Sequence, residues 1–176
     1  AGSADIRFNG LQIAGDADLK AGNSHVVLKG SDGARIEVSA SLQPLDLNDL
    51  NPEWTGRING TAALQGDRTN PDYLLKLNGS GLNVMGYRIG RFELDGNTLT
   101  AKRSRLFAED LLISGQAIER AELVLTGRLK DAGFQASVLS GLYALDGAGR
   151  MQWLGGKPRV DVQSLRVKGG EAGVWN

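Results

Sequence analysis

Apolar and polar residues alternate one for one along most of this chain, and a period of two admits little besides β-strands with one dry and one wet face. The cleanest case is 34–42: Ala34, Ile36, Val38, Ala40 and Leu42 fall on one side, and Arg35, Glu37, Ser39 and Ser41 on the other. Residues 56–64 group Ile58, Ala62 and Leu64, with Gly60 thinning that face, and 73–77 group Tyr73, Leu75 and Leu77. The same pattern predicts strands over 6–13, 25–29, 87–94, 121–125, 134–138, 149–154 and 160–167.

Glycine supplies 25 of the 176 residues, about twice the ordinary usage of roughly 7%. That density disfavours helices, and with short alternating runs it points to an all-β chain. Turns are predicted at Asn9-Gly10, Asp32-Gly33, Asn59-Gly60, Asn78-Gly79, Asp95-Gly96, Asp146-Gly147 and Gly155-Gly156. Prolines bracket 44–53, which reads as a helical turn or corner between a first strand set (1–43) and continuing repeat strands (54–176). Gly56-Arg57-Ile58, Leu64-Gln65-Gly66 and Pro71 are loosely echoed by Gly149-Arg150-Met151, Trp153-Leu154-Gly155 and Pro158, as in an array whose units bury their apolar faces on one another. Ala1, Gly2 and Ser3 read as a cloning remnant, and the chain is expected to be one fragment of a longer array.

Chemistry fails on inventory. Cysteine is absent and His25 is the only histidine, so nucleophile–base pairs have no raw material. Asp16 and Asp18 begin like a calcium loop, but Val27 stands where a bidentate Glu is needed. The 81–86 stretch runs into Tyr87-Arg88 where a phosphate loop needs Lys and Ser or Thr. Glu109 and Asp110 are adjacent, so on a strand they point apart. Twenty basic and twenty acidic side chains cancel, and Lys102, Arg103 and Arg105 lack interleaved aromatics, so nucleic acid is not an expected partner. The Asn59-Gly60-Thr61 and Asn78-Gly79-Ser80 triplets fit a glycosylation acceptor but read better as strand corners. No apolar run approaches the roughly 20 residues of a membrane span. Neither catalytic residue, metal nor cofactor is expected.

Leu45-Asp46-Leu47-Asn48-Asp49-Leu50-Asn51-Pro52, leading into Gly56-Arg57-Ile58-Asn59-Gly60, Leu64-Gln65-Gly66 and Pro71, is similar to a recurrent passage of the TamB family, which is related to AsmA-like bridge proteins. Tyr87-Arg88-Ile89-Gly90-Arg91-Phe92-Glu93-Leu94-Asp95-Gly96 continues the resemblance, and Trp153, Ser164-Leu165-Arg166-Val167 and Trp175 extend it over 42–176. The resemblance implies a long, curled, meandering antiparallel sheet, a U-shaped groove with an apolar concave face, in the periplasm of a Gram-negative bacterium. It further implies an inner-membrane anchor outside this segment, a TamA-like outer-membrane barrel as partner, and roles in phospholipid transport and outer-membrane protein assembly.

The residues alone also make the apolar face the candidate site, since a sheet with one dry face must either cover it or offer it. The residues expected to line it are Ile36, Val38, Leu42, Ile58, Ala62, Leu64, Leu75, Leu77, Ile89, Phe92, Leu94, Leu123, Leu125, Phe134, Val138, Val160, Val162, Leu165 and Val167. Their expected occupants are phospholipid acyl chains or hydrophobic β-strand clients. A structural β-solenoid or adhesin-type stalk with a filled core, and chaperone-like capture of unfolded outer-membrane proteins on an open edge, are the competing readings.

Overall fold

The alternating segments pair with their sequence neighbours into one sheet. A computed structural model describes residues 2–9, 12–68, 70–128, 130–154, 157–169 and 173–175. Its strands are β1 (Gly2–Asn9), β2 (Gln12–Ala21), β3 (Ser24–Asp32), β4 (Ile36–Asp46), β5 (Thr55–Gly66), β6 (Asp72–Val84), β7 (Tyr87–Asn97), β8 (Arg103–Ile113), β9 (Gln116–Arg128), β10 (Asp131–Leu139), β11 (Tyr143–Leu154), β12 (Lys157–Gly169) and β13 (Gly173–Trp175). Their spatial order is their chain order, and every described pairing is antiparallel. The fold is therefore the all-β meander that the sequence predicts. A single 3₁₀ turn, Leu47–Asp49, is the one helical element among the described residues, and no helix there is long and apolar enough to cross a membrane.

The sheet is open and curled. Arg128 at the end of β9 reaches across β8 and β7 to place Nη2 3.0 Å from Asp72 Oδ2 at the start of β6. Nearby, the Gly127 N–H donates to the Lys102 carbonyl at 2.7 Å, tying the loop before β8 to the end of β9.

The 44–53 stretch is tied down by polar contacts. Pro44 lies within β4, where the register against β5 shifts between Leu42 and Leu45. Asp46 then caps the 3₁₀ turn by accepting from the Asn48 N–H. The Asp49 carboxylate reaches back to the β2–β3 hairpin, accepting from the Asn23 N–H at 2.9 Å and the Ser24 hydroxyl at 2.7 Å. Leu47 is buried beneath this arrangement.

Several sequence expectations are corrected. Residues 6–13 are not one strand: β1 ends at Asn9 and β2 begins at Gln12. Four glycine dipeptides expected at turns lie inside strands, with Gly60 in β5, Gly79 in β6, Gly96 in β7 and Gly147 in β11. At Gly60 the cause is backbone: its φ is +131°, and a Cβ there would collide with the Lys76 carbonyl oxygen. The β6–β7 and β8–β9 hairpins turn instead at Met85-Gly86 and Ser114-Gly115, where both residues of each pair have positive φ, the geometry that matches the right-handed twist of the flanking strands. Gly33 does follow β3 directly. Gly10, Gly155 and Gly156 lie outside the described residues.

Candidate functional site

In an antiparallel ladder, directly opposed residues share a face, so the register shows how far the apolar face extends. One row runs Leu28, Ala40, Ala62, Leu75, Gly96, Ser104, Leu125, Phe134, Gly149, Val162 from β3 to β12. A second, two residues along each strand, runs Leu19, Val26, Leu42, Gly60, Leu77, Leu94, Leu106, Leu123, Ala136, Gly147, Leu165 from β2 to β12. A third runs Leu45, Ile58, Gly79, Phe92, Ala108, Ala121, Val138, Leu145, Val167 from β4 to β12. No ionisable side chain occurs in any of the three, and Ser104 is the only residue in them with a polar side chain.

Sixteen of the nineteen expected lining residues sit on these rows or on the shorter one formed by Gly30, Val38, Leu64 and Tyr73. Ile36 opposes Gly66, and Val160 opposes Met151, in line with the same alternation. Ile89 stands apart. It opposes Leu82 and Leu111 in a separate row that ends at Ile118, beyond a break in pairing where Gly81 and Asp110 both have positive φ. Sequence reading missed Leu19, Val26, Leu28, Leu106, Ala108, Ala121, Ala136, Leu145 and Met151, and it grouped Tyr73 with Leu75 and Leu77 without counting it as lining. β8 is not among the predicted strands, because the runs Leu106-Phe107-Ala108 and Leu111-Leu112-Ile113 interrupt its alternation.

A hollow of about 410 Å³ lies on this face. Val38 of β4, Leu64 of β5, Leu75 of β6, Leu94 of β7 and Leu125 of β9 contribute to its wall. Its only side-chain polar atoms are the Tyr73 and Ser104 hydroxyls, which are 2.8 Å apart and satisfy each other. Tyr73 is held in addition through its backbone: its N–H donates to Thr98 Oγ1 at 2.8 Å, and its carbonyl accepts from the Thr98 N–H at 3.0 Å. Thr98 itself is fully buried.

The other face is charged. On β7–β9 Arg91, Arg105 and Arg120 place their guanidinium carbons 5.0–5.8 Å from the Phe107 ring centroid, within cation–π range. Arg105 pairs with Glu122 at 2.6 Å, Arg91 with Glu93 at 3.1 Å, and Glu109 lies between Arg91 (3.8 Å) and Arg120 (3.5 Å). The hydrogen bond from Arg105 holds the Glu122 carboxyl below the usual carboxylate range and raises Arg105 in turn. A larger hollow of about 840 Å³ on β8–β12 is lined on this side by Arg103, Glu122, Gln135, Asp146 and Arg166. Glu109 is thus held among arginines, and His25 meets the Asp18 carboxylate at 3.0 Å. Among the described residues no group of three or more His, Cys, Asp or Glu could hold a metal ion.

Residues 2–164 match the family described as TamB, N-terminal domain. The translocation and assembly module subunit TamB of Haemophilus influenzae is 25% identical over 118 residues, which cover 65% of this chain and 9% of that relative. No solved structure matches. With the family match running from β1 into β12, the chain belongs to the TamB family.

Proposed function

We propose that the apolar face is a track for phospholipid acyl chains, in a periplasmic segment of a TamB-like protein that bridges the inner and outer membranes. The observation that carries this reading is the set of three apolar rows, unbroken by charge from β4 to β12, with large side chains left open rather than covered by a second layer. Leu106, at the centre of the second row, is 39% exposed, and Val162 and Leu165 on β12 are 60% and 51% exposed. A filled stalk would bury them. Taking apolar carbon from water gains about 0.8 kcal/mol per CH₂, so a 16-carbon tail gains at most on the order of 12 kcal/mol. Transport also asks that no position bind too well, and repeated Leu, Ala, Val and Gly provide a nearly even surface.

The full-length chain would carry the inner-membrane anchor and reach a TamA-like barrel, and its work is phospholipid transport, outer-membrane protein assembly, or both. The name of the H. influenzae relative supports the assembly-module role.

The test is site-specific photocrosslinking in cells from Ile36, Ile58, Leu75 and Val162 of the full-length protein. Phospholipid adducts from these positions are expected, and Leu75→Asp abolishes passage while the protein remains folded. Absence of lipid adducts from all four positions refutes the track. Adducts to unfolded outer-membrane proteins from edge backbone positions, insensitive to Leu75→Asp, favour capture of clients on a sheet edge instead.

A further inference from the structure

Each of the three aromatic side chains assigned to the apolar rows lies over a glycine of a neighbouring strand. Phe92 of β7 directly opposes Gly79 of β6, and a Cβ at Gly79 would collide with its Cε1. Phe134 of β10 opposes Gly149 of β11, where a Cβ would stand 2.8 Å from Cε1 and 2.9 Å from Cζ. Tyr73 of β6 crosses diagonally to Gly96 of β7, where a Cβ would stand 2.9 Å from its Cε2 and 3.1 Å from Ser104 Oγ. Real Cβ atoms do not approach so closely, so in each case the missing side chain is the space in which the ring lies.

Gly79 and Gly96 stand where the sequence context suggests turns and Gly149 where it suggests the start of a strand, and all three sit within strands. None of the three has a positive φ, so backbone freedom does not account for them. The ring does. Glycine in a strand interior costs stability relative to alanine, a cost that recurs here beside each of these three aromatics.

We propose that Gly79, Gly96 and Gly149 are clearance residues, which keep the rings of Phe92, Tyr73 and Phe134 flat on the sheet so that an acyl chain passes over them. This rests on the track reading and specifies what sets its bore. Standing up from its strand, the Tyr73 ring would narrow the hollow of about 410 Å³ that it lines. Laid on glycine, it becomes part of the floor. Tyr73 is the most firmly held, because its hydroxyl reaches across β7 to Ser104 on β8.

Gly96 is the position to test, since the nearest atoms a Cβ would meet all belong to the side chains of Tyr73, Ser104 and Leu75. At Gly79 and Gly149 it would also strike the carbonyl oxygens of Arg57 and Asp161. In the full-length protein in cells, Gly96→Val lifts the Tyr73 ring, and lipid crosslinking from Leu75 falls about tenfold. Adding Tyr73→Ala to Gly96→Val restores it. Gly96→Ala gives the same loss and rescue at a smaller amplitude, and carries the test if Gly96→Val does not accumulate as folded protein. Unchanged crosslinking in folded Gly96→Val, or in folded Gly96→Ala where that variant carries the test, overturns the clearance role, and so does a loss that Tyr73→Ala fails to rescue. If the unsubstituted protein gives no adduct at Leu75 or at the other three positions, the track itself is what has failed.

Discussion

Leu106 and Phe107 are adjacent on β8 and face opposite ways, and their burial is the reverse of what their surroundings suggest. Leu106 lies among Leu94, Leu123 and other apolar neighbours and is 39% exposed, whereas Phe107 lies among six charged side chains and is 8% exposed. The wet face covers its aromatic with arginine stems and guanidinium planes, and the dry face leaves its leucine open. The order of the sheet in β7–β9 thus owes more to the charged side than a sandwich core would allow. The apolar side keeps its rows in register with Leu106 left partly open.

The widest effect on that contrast comes from truncating the two neighbours separately. Phe107→Ala removes a covered ring and is expected to cost about 3 kcal/mol, at the low end for buried aromatics because the arginines can settle into the gap. Leu106→Ala is expected to cost about 1 kcal/mol, since its side chain is only partly withdrawn from water. Urea unfolding of both variants gives the comparison directly. Equal costs would mean that the apolar face is packed as a core, and the contrast would be lost.

A smaller effect reports on the dryness of the hollow. Tyr73→Phe deletes the hydroxyl that meets Ser104 and leaves the Ser104 hydroxyl, in a residue only 7% exposed, without its partner. In a dry hollow that costs about 1 kcal/mol. A cost under about 0.3 kcal/mol would show water bridging in place of the phenol, and the apolar face would then be wetter than its lining suggests. Denaturant midpoints of the single variant and of Tyr73→Phe with Ser104→Ala separate the two outcomes.

Alternation made the sheet and its apolar face legible because both depend only on side-chain sequence taken two by two. Thus Ile36, Val38 and Leu42 on β4, or Leu123 and Leu125 on β9, are assigned without any knowledge of partners. What failed depends on contacts between strands. Gly96 reads as a turn after Asp95 until Tyr73, more than twenty positions earlier in the chain, is seen to lie across it. The true turns at Met85-Gly86 and Ser114-Gly115 lack the Asn or Asp that would mark them. Ile89 shows a third limit: a break in pairing at Gly81, Gly90 and Asp110 separates it from Phe92 and Leu94. Phe107, set between Leu106 and Ala108, blurs the period on β8 and hides the strand.

The mildest test titrates the charged face alone. The hydrogen bond from Arg105 holds Glu122 below its ordinary range, and on β10–β11 the two guanidinium contacts of Arg150, at 2.7 and 2.6 Å, do the same for Asp131. A carboxylate with a folded pKa below its unfolded one adds stability that is fully present above the unfolded value, near 4 for these groups, and that disappears as pH falls through the folded one. Stability should therefore decline on acidification below about pH 4. Both pairs are at the surface, so the decline is modest and is weakened further by salt. Glu122→Gln should flatten part of this slope and Asp131→Asn another part, while Leu106→Ala leaves it unchanged. An acid slope that responded to Leu106→Ala would mean that the two faces are energetically coupled through β8, and that the charged side does not hold the sheet independently of the apolar one.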